Sequence, residues 1–400
     1  MGIEFNAQQK DAIKDIGHWY KSLSSHQVYE LSGRPGTGKT TLMNYVIKEE
    51  LGLDDDEFII VSFTGKATQQ LIRKGNKAHT IHSIFYKMCN VVDMDENGQP
   101  IMEHGRVKMK KKFLPISKDE LDPRIKLIAI DEAPMTGANI AKHILSFGKK
   151  VLALGDIDQL PPVMDKPFFM IEPNRHLTQI MRQAEGNMII KLATDLIEGR
   201  KISYGKYGDN VMVIPYELAH DKLMKKSDII LAAKNSTRDI INNRIRYEIN
   251  QRKNALPHIG DKIICRKTNY KESIRESYGE IYLINGLSGT IEGIHKDTYT
   301  GEVMSIDFKP DFTMNTFYDL RMNTTFFASD VSIRKEMKSN MFTKGELFEM
   351  GDACTVHLSQ GSEWDFVTYF KESIGFNQRY NNQLNYTAVT RAKDKLVIVQ

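Results

Sequence analysis

A 400-residue chain with 41% hydrophobic and 26% charged residues can bury several cores, and its length indicates two or three domains of roughly 100–200 residues each. The formal net charge of +4 neither requires nor excludes a nucleic-acid partner, while three widely spaced cysteines exclude a C-x-x-C zinc site. The N-terminus shows no signal-peptide core and no apolar run approaches ~18 residues, so we expect a soluble, cytoplasmic protein with no membrane partner.

The first half of the chain predicts a parallel sheet covered by helices, because short apolar runs alternate with helical stretches. Each of these runs ends in a polar or glycine-bearing turn, which is where α/β proteins bind their ligands. We therefore predict an α/β fold class with a ligand site at the carboxyl edge of the sheet. The predicted strands are Val28–Ser32, Phe58–Phe63, Leu127–Ile130 and Val151–Leu154.

A glycine-rich loop follows the first predicted strand. Residues 33–40 match G-x-x-x-x-G-K-T in full, between a predicted strand and a predicted helix. The backbone N–H groups of such a loop bind phosphates, its lysine reaches the β and γ oxygens, and its hydroxyl ligates Mg²⁺. A chance glycine turn is the alternative, and the order of strand, loop and helix weighs against it. The predicted ATP-binding residues are Gly33, Pro35, Gly36, Thr37, Gly38, Lys39, Thr40 and Thr41, with Lys39 also catalytic and Thr40 on the metal.

Two carboxylates and a glutamine follow later strands of the same predicted sheet. We expect Asp131 to hold the hydrated Mg²⁺ and Glu132 to orient or deprotonate the attacking water. An ordinary solvated turn is the alternative interpretation of an Asp-Glu pair at a strand end. Gln159 lies at the carboxyl edge of the sheet, where a sensor of the γ-phosphate is expected.

Residues 88–123 interrupt the alternation of strands and helices. Asn97-Gly98 indicates a type I′ hairpin turn. Beyond it, basic residues alternate with Val107 and Met109, which predicts a strand with one basic face. Such a run is usually just a solvated surface. Its alternating basic residues are Arg106, Lys108 and Lys110.

The second half predicts another α/β domain that is interrupted by β structure. Ile229–Ala232, Asn235 and the apolar spacing that follows predict a strand, a cap and an amphipathic helix. From about Gly260, short strands with glycine-bearing turns predict an inserted small β-barrel. The alternation of strands and helices returns near Gly351. The strands predicted in the barrel are Asp261–Arg266, Glu280–Ile284, Gly289–Ile294 and Val303–Phe308.

Several further segments complete a set of motifs, namely residues 5–9, 62–67, 80–83, 177–184, 355–363 and 385–392. Together with the phosphate loop and the Asp-Glu pair, they resemble superfamily 1 DNA helicases of the RecD/Dda-like, 5′-to-3′ subgroup over nearly the whole chain. The layout is similar to that of phage Dda-like members. Two departures are Leu358, where the family often has Lys, and Pro134, where the family usually has Ser.

The resemblance implies that ATP binds between two motor domains. Gln9 would read the adenine, and Glu363 would also contact the nucleotide. Arg182 and Arg391 would approach the γ-phosphate from the interdomain region and the second domain. An arginine placed in this way can increase the rate of ATP hydrolysis by ~10³–10⁵-fold. An ordinary surface salt bridge is the alternative for each arginine.

The resemblance also implies a track for single-stranded DNA. Phe85 would stack on a base, although such a ring is as often part of a core. The basic run in 88–123 lies where this family carries a small wedge, so we favour a DNA-facing hairpin over a solvated face. The residues implied to contact DNA are Thr64, Lys66, His82, Phe85, Arg106, Lys108, Lys110, Asn235 and His357.

The fold implied by the resemblance is α/β, with two RecA-like P-loop motor domains, a small β-hairpin insertion and an SH3-like β-barrel insertion. The barrel replaces the large helical insertions of the 3′-to-5′ branch, for which the chain has no room. The implied bounds are 1–87 and 124–184 for the first motor domain, 88–123 for the hairpin, 185–260 and 350–400 for the second motor domain, and 261–349 for the barrel.

The leading hypothesis is an ATP-dependent helicase that moves 5′ to 3′ on single-stranded DNA and unwinds forked DNA, as a monomer using ATP and Mg²⁺. Replication or recombination proteins are candidate partners, and the site of action would be the host cytoplasm if a phage encodes the chain. An alternative is a DNA-stimulated ATPase that remodels protein–DNA complexes with little unwinding. A P-loop switch protein is disfavoured, because a switch needs no second RecA-like domain.

Overall fold

Two largely parallel sheets and a smaller antiparallel sheet organise the chain in the computed structural model. None of the described helices is both long and apolar enough to cross a membrane. The structure describes residues 4–23, 26–95, 98–103, 106–107, 109–161, 168–179, 187–277, 279–295, 301–311, 313–339, 343–375 and 377–400.

Several helices begin where a polar side chain accepts from one of the first free backbone N–H groups. Thr64, Thr80 and Thr355 cap three of them through their side-chain oxygens. Wider helical turns at Val46–Glu50 and Arg244–Ile249 continue the second and eighth helices. The helices are α1 (Ala7–Lys21), α2 (Lys39–Tyr45), α3 (Gly65–Arg73), α4 (Ile81–Phe85), α5 (Ala138–Ser146), α6 (Met188–Ile197), α7 (Asp221–Lys226), α8 (Asn235–Asn243), α9 (Thr324–Ala328), α10 (Val331–Ser339), α11 (Val356–Ser359) and α12 (Gln378–Val389).

The strands include all of those predicted from apolar runs, with ends that differ by at most two residues. They are β1 (Val28–Gly33), β2 (Phe58–Ser62), β3 (Ala78–Thr80), β4 (Tyr86–Val92), β5 (Met102–Glu103), β6 (Arg106–Val107), β7 (Met109–Pro115), β8 (Leu127–Asp131), β9 (Lys150–Gly155), β10 (Arg175–Leu177), β11 (Gly205–Tyr207), β12 (Val211–Ile214), β13 (Ile229–Ala232), β14 (Lys262–Cys265), β15 (Asn269–Glu276), β16 (Gly279–Leu283), β17 (Ser288–His295), β18 (Val303–Pro310), β19 (Phe317–Asn323), β20 (Phe348–Met350), β21 (Ala353–Thr355), β22 (Trp364–Phe370) and β23 (Ala392–Val399).

The first sheet has the order β10-β1-β9-β8-β2-β3 among the described strands, and all of its pairs are parallel. Parallel strands are apolar on both faces because helices cover both sides. In β8, Leu127 and Ala129 pack into one core, while Ile128 and Ile130 pack into the other. Because the strands run in the same direction, the ends of β1, β8 and β9 meet at one edge.

The second sheet has the described order β11-β12-β23-β22-β13-β21, with parallel pairs except for the antiparallel edge strand β11. As in the first sheet, side chains on both faces of its strands are buried. Ile229 and Leu231 of β13 contribute to one core, and Ile230 and Ala232 contribute to the other. The predicted α/β fold class is therefore confirmed in both halves of the chain.

The region between the α/β segments of the second half forms an antiparallel sheet, with the described order β19-β18-β17-β14-β20. A bridge from Met322 to Glu346, just before β20, brings its two edge strands close together. The expectation that Glu280–Ile284 belongs to this sheet was wrong, because β16 pairs with β15 in a separate ladder. Leu283 of β16 nevertheless packs into the core of the antiparallel sheet. Helices α9 and α10, which were not predicted, follow β19.

The insertion after α4 is a hairpin in which β4 pairs with β7, from Tyr86 with Pro115 to Val92 with Met109. Beyond that ladder, β5 pairs with β6, so the single basic strand predicted here is instead two strands in two ladders. The turn includes Gly98, whose φ of 76° is in the left-handed region that glycine adopts without strain. Asn97 and Lys108 lie outside the described residues.

Candidate nucleotide site and nucleic-acid track

The phosphate loop joins β1 to α2 and is closed by its own contacts. Gly36 and Gly38 both have φ of 76°, a conformation that favours glycine. Lys39 donates through Nζ to the carbonyl of Gly33, and to the carbonyl of Arg34 at 3.3 Å. A bound phosphate would offer this ammonium stronger, charged acceptors in place of the two carbonyls.

The remaining predicted residues of this loop differ in exposure. Thr37 is fully buried and donates through its hydroxyl to the Arg34 carbonyl at 2.7 Å. A Cβ at Gly33 would lie 2.7 Å from the Thr37 hydroxyl oxygen, so the close loop requires glycine there. Pro35 and Thr40 are half-buried, whereas Thr41 is exposed on the first turn of α2.

Gln9 holds the phosphate loop in this structure. Its side chain is buried, and its Nε2 donates to the carbonyl of Thr37 at 2.9 Å. Its Oε1 accepts from the Asn6 N–H at 2.9 Å, which completes a capping box at the start of α1. Adenine recognition by Gln9 stays a prediction, because both ends of the amide have protein partners here.

The two carboxylates occupy the end of β8, at the carboxyl edge of the first sheet. Glu132 has a φ of 53°, a left-handed conformation that costs free energy for a residue other than glycine and clusters at functional sites. Burial raises the pKa of Asp131, and the charge of Lys39 opposes that shift. Burial and the Asp131 charge raise the pKa of Glu132, while Arg391 and Lys39 lower it. Cations from both halves of the chain therefore act on one carboxylate pair.

Pro134 replaces the Ser expected after the Asp-Glu pair and has a packing role. Its ring lies against Gly155 at the end of β9, so closely that a Cβ at that glycine would overlap it. The turn Ala133–Met135 is thereby held against the neighbouring strand. The departure removes a hydroxyl and places an apolar ring between the turn after Glu132 and the end of β9.

Thr40 and Asp131 have the chemistry of a Mg²⁺ site. Their hydroxyl and carboxylate oxygens are hard donors of the kind this ion prefers. Asp131 is half-buried, and desolvation raises the pKa of its carboxyl although the charge of Lys39 opposes that shift. Within the described ranges no three His, Cys, Asp or Glu side chains form a metal-binding group, so phosphate oxygens and water would have to complete the coordination.

The segment after β9 docks onto the second half of the chain. Gln159 is buried, and its carbonyl accepts from Gln383 Nε2 at 3.1 Å. Leu160 is fully buried in the core of the second sheet, and its N–H donates to the Thr387 hydroxyl at 3.0 Å. Gln360 donates to the Leu160 carbonyl at 3.1 Å. The predicted sensor residue is thus adjacent to a direct junction between the two halves.

The two predicted arginines differ in what the structure describes. Arg391 is buried and donates to the Thr387 carbonyl at 3.0 Å, the Ser362 carbonyl at 3.2 Å and the Thr390 hydroxyl at 3.1 Å. The positive charge of Arg391 nevertheless lowers the pKa of Glu132, and the negative charge of the exposed Glu363 raises it. Arg182 lies outside the described residues.

Thr64 and Lys66 lie where the two halves meet. Thr64 caps α3 through its side chain, and Gly361 approaches so closely that a Cβ there would lie 2.9 Å from the Thr64 hydroxyl. Lys66 is buried and donates to the Leu358 carbonyl at 3.4 Å, with its ammonium 5.6 Å from the centre of the Trp364 ring. Burial lowers the pKa of Lys66 to about 8.

The rings predicted to contact DNA have different surroundings. His82 is half-buried among aromatic side chains, and burial lowers its pKa. His357 shares a 2.7 Å hydrogen bond with the Tyr380 hydroxyl. The stacking prediction for Phe85 was wrong, because its ring is fully buried and packs 5.3 Å from that of Phe147.

The other predicted DNA contacts are on the surface or only partly described. Asn235 is exposed and is the first residue of α8 rather than its cap. Glu372 accepts from the Ala233 and Lys234 N–H groups, just before the helix begins. Arg106 is exposed on β6, whereas only the backbone of Lys110 is described.

Comparison with known proteins identifies the family. A family model for an AAA domain matches residues 4–214, more than half of the 400-residue chain. The chain belongs to the AAA domain family. A second model, for a UvrD-like helicase C-terminal domain, matches residues 350–399 of this AAA domain chain.

Two relatives place the AAA domain chain more narrowly. It is 26% identical to the ATP-dependent RecD2 DNA helicase of Deinococcus radiodurans over 387 residues, covering 93% of the chain and 47% of the relative. It is 28% identical to the ATP-dependent DNA helicase dda of Enterobacteria phage T4 over 214 residues, which cover 50% of the chain and 44% of the relative. The chain thus spans about half of the length of these relatives. The matches confirm the resemblance to the RecD/Dda-like group of superfamily 1.

Solved structures support the fold. The Pif1 helicase from Bacteroides in complex with ADP-AlF3 and ssDNA has a TM-score of 0.54 at 17% identity, over 99% of the AAA domain chain and 92% of its own. Pif1 helicase from Candida albicans has a TM-score of 0.53 at 15% identity, and the match covers 100% of the AAA domain chain and 95% of the Pif1 chain. At this identity the likeness shows a shared α/β fold.

Sequence reasoning missed contacts within the first half of the AAA domain chain and contacts between its two halves. Gln8 accepts from the N–H groups of Thr178 and Gln179, which ties α1 to the segment after β10. Tyr386 and Thr387 contact the segment after β9 from α12. Thr387 is fully buried and Tyr386 is 1% exposed, and no local sequence signal marks either position as buried.

Proposed function

We propose that the protein is an ATP-dependent DNA helicase that moves along single-stranded DNA and unwinds forks. The observation that carries the proposal is that Thr387 of the second half contacts both Arg391 and the segment 156–160, which pairs with the phosphate loop through Asp158 and Arg34. A site completed by two domains links hydrolysis to their relative motion. The names of the RecD2 and dda relatives, both ATP-dependent DNA helicases, support this activity.

We propose the following domain arrangement. The first parallel sheet is a RecA-like motor domain formed by 1–87 and 124–184, and the second is formed by 185–260 and 350–400. The hairpin occupies 88–123 and acts as a wedge. The antiparallel sheet within 261–349 is an SH3-like barrel, an assignment supported by the approach of its edge strands at Met322 and Glu346.

In the proposed reaction, the phosphate loop and Lys39 orient ATP, and Glu132 accepts the proton of the attacking water. Mg²⁺, held by Thr40 and Asp131, would offset the negative charge of the phosphates when it is bound. Gln159 would sense the γ-phosphate. Arg391 would neutralise charge that develops as the bond to the γ-phosphate breaks. Since Arg391 belongs to the second half, hydrolysis requires the cleft to close.

The proposed DNA track crosses both halves. Thr64 and Lys66 lie beside Gly361 and Leu358, so opposing segments already meet there. A strand that enters must displace the Lys66 ammonium from the Leu358 carbonyl and offers it a phosphate instead. His82, His357, Asn235 and the basic residues of the hairpin are proposed further contacts. We propose that the protein acts as a monomer in the cytoplasm, with replication or recombination proteins as partners.

Direction of movement provides the direct test of this function. Membership of the RecD/Dda-like group leads us to expect 5′-to-3′ translocation, so a fork with only a 5′ single-stranded tail should be unwound. A fork with only a 3′ tail should not be. Strand separation is measured with labelled forks, alongside ATPase activity with and without single-stranded DNA. The opposite preference would contradict the subgroup assignment but not the motor, and stimulated ATPase with no unwinding would favour the remodelling alternative.

The hairpin should serve strand separation more than movement. Val92 pairs with Met109, so residues 93–108 can be replaced by a two-residue Asn-Gly turn without disturbing the ladder. We expect DNA-stimulated ATPase to persist within about twofold while the unwinding rate falls at least about tenfold, because the ATP cleft is untouched. Equal loss of both activities would show that the hairpin is needed for folding.

A further inference from the structure

The segment 156–160 connects the phosphate loop to the second half of the chain. On one side, Asp158 pairs with Arg34 of the phosphate loop at 3.0 Å. The Asp158 N–H also donates to Asp156 Oδ1 at 3.0 Å, which holds the turn together. On the other side, Leu160 enters the core of the second sheet. Any change at the phosphate loop that moves this turn must therefore move a part of the second half.

Two consecutive residues of α12 receive this segment. The Tyr386 hydroxyl donates to Asp156 Oδ2 at 2.6 Å, with both side chains buried. The Thr387 hydroxyl accepts from the Leu160 N–H at 3.0 Å. Because Asp156 is fully buried, losing the hydroxyl donor would leave its Oδ2 without this hydrogen bond, which is costly in a dry site.

The same two residues lead to Arg391. The Thr387 carbonyl accepts from Arg391 Nε at 3.0 Å, so one residue contacts both the segment of the first half and the arginine. The path from the phosphate loop to the arginine is continuous: Arg34, Asp158, Asp156, Tyr386, Thr387 and Arg391.

We infer that Tyr386 and Thr387 are positioning residues that fix Arg391 relative to the phosphate loop through the segment 156–160. Neither residue has a role in the chemistry proposed above. Their hydroxyls set where α12 lies, and with it the point from which Arg391 reaches the γ-phosphate. This inference rests on the proposed ATP-driven function and adds two residues that join its two halves.

Tyr386→Phe tests the inference against a matched control, Tyr369→Phe. Tyr369 is also fully buried, and its hydroxyl donates to Asn385 Oδ1 at 2.7 Å, one residue from Tyr386 but within the second half. ATP turnover is measured at saturating single-stranded DNA, with KM for ATP and the thermal midpoint. We expect kcat of Tyr386→Phe to fall about 10- to 100-fold, with KM changed less than about threefold, and Tyr369→Phe to stay within about twofold of the parent.

A second pair of variants keeps the test decisive if Tyr386→Phe does not fold. Thr387→Ser keeps the oxygen that accepts from Leu160, whereas Thr387→Val has similar volume and lacks it. We expect the serine variant to retain the parent kcat and the valine variant to lose it. Equal kcat in this pair, or equal loss in both tyrosine variants, would overturn the positioning role. A parent protein without DNA-stimulated ATPase would instead overturn the proposed function.

Discussion

Replacing Glu132 with Gln should lower DNA-stimulated ATP turnover by about 10²–10⁴-fold, the range that a general base contributes. The amide keeps the shape of the side chain but cannot accept a proton from water. ATP binding should be largely retained, because Lys39 and the backbone of the phosphate loop are unchanged. Lys39→Ala should also abolish turnover but for another reason, since it removes the cation that holds the β and γ oxygens and weakens ATP binding.

The matched control for Glu132→Gln is Glu30→Gln. Glu30 lies on β1 of the same sheet. Burial also raises its pKa, and its Oε2 accepts from the Met170 N–H at 2.6 Å. The same chemical change there should leave kcat within about twofold, because Gln still accepts that bond. Turnover is measured with saturating single-stranded DNA, and ATP affinity with a fluorescent nucleotide. A Glu132→Gln protein with normal turnover would contradict the assignment of the base.

The parallel sheets could be predicted from sequence because their strands are short apolar runs that end in polar turns. Ile229–Ala232 was predicted with the bounds that the structure has, and Val28–Ser32 differs by one residue. The phosphate loop and the carboxylate pair were located by the same reasoning, since each follows such a strand. Their individual catalytic roles stay predictions.

The features that were not predicted depend on contacts between distant parts of the chain. The hydrophobic periodicity of a segment carries no information about such contacts. The sequence left Phe85 either stacked on a base or part of a core, because Phe147, the ring that packs against it, follows 62 residues later. Helix α9 has five residues, too few to show a helical period. The role of Gln9 did have a local signal, because Asn6 and Gln9 have the spacing of a capping box.

The segment 156–160 shows the same limit at the functional site. Gln159 was predicted as a sensor because it follows a strand at the carboxyl edge of the first sheet. That prediction uses only neighbouring residues in the sequence. The carboxylate of Asp156 meets the Tyr386 hydroxyl 230 residues away, and Leu160 completes a core of the other half. A buried apolar residue beside a polar edge gives no indication of which sheet buries it. The coupling between the halves was therefore visible only in the structure.

Replacing Arg391 with Ala should reduce DNA-stimulated turnover by about 10³-fold or more, within the range of arginines supplied to a γ-phosphate. In the structure its guanidinium bonds the Thr387 and Ser362 carbonyls and the Thr390 hydroxyl, so it is held within its own half. Its charge already acts on Glu132 across the cleft. Closure on ATP must exchange at least one of these neutral acceptors for a phosphate oxygen, which is the stronger, charged acceptor.

Arg391→Lys separates the charge from the geometry of the guanidinium. Lysine keeps the positive charge but presents one nitrogen in place of the planar fork, so it cannot both hold the Thr387 carbonyl and reach a phosphate. We expect it to remain at least about tenfold below the parent in kcat, with the thermal midpoint closer to the parent than that of Arg391→Ala. Affinity for single-stranded DNA without nucleotide should be nearly unchanged in both variants, because the cleft is then open. Full stimulation in either variant would remove Arg391 from the site, and a matching loss of DNA affinity would indicate a folding defect.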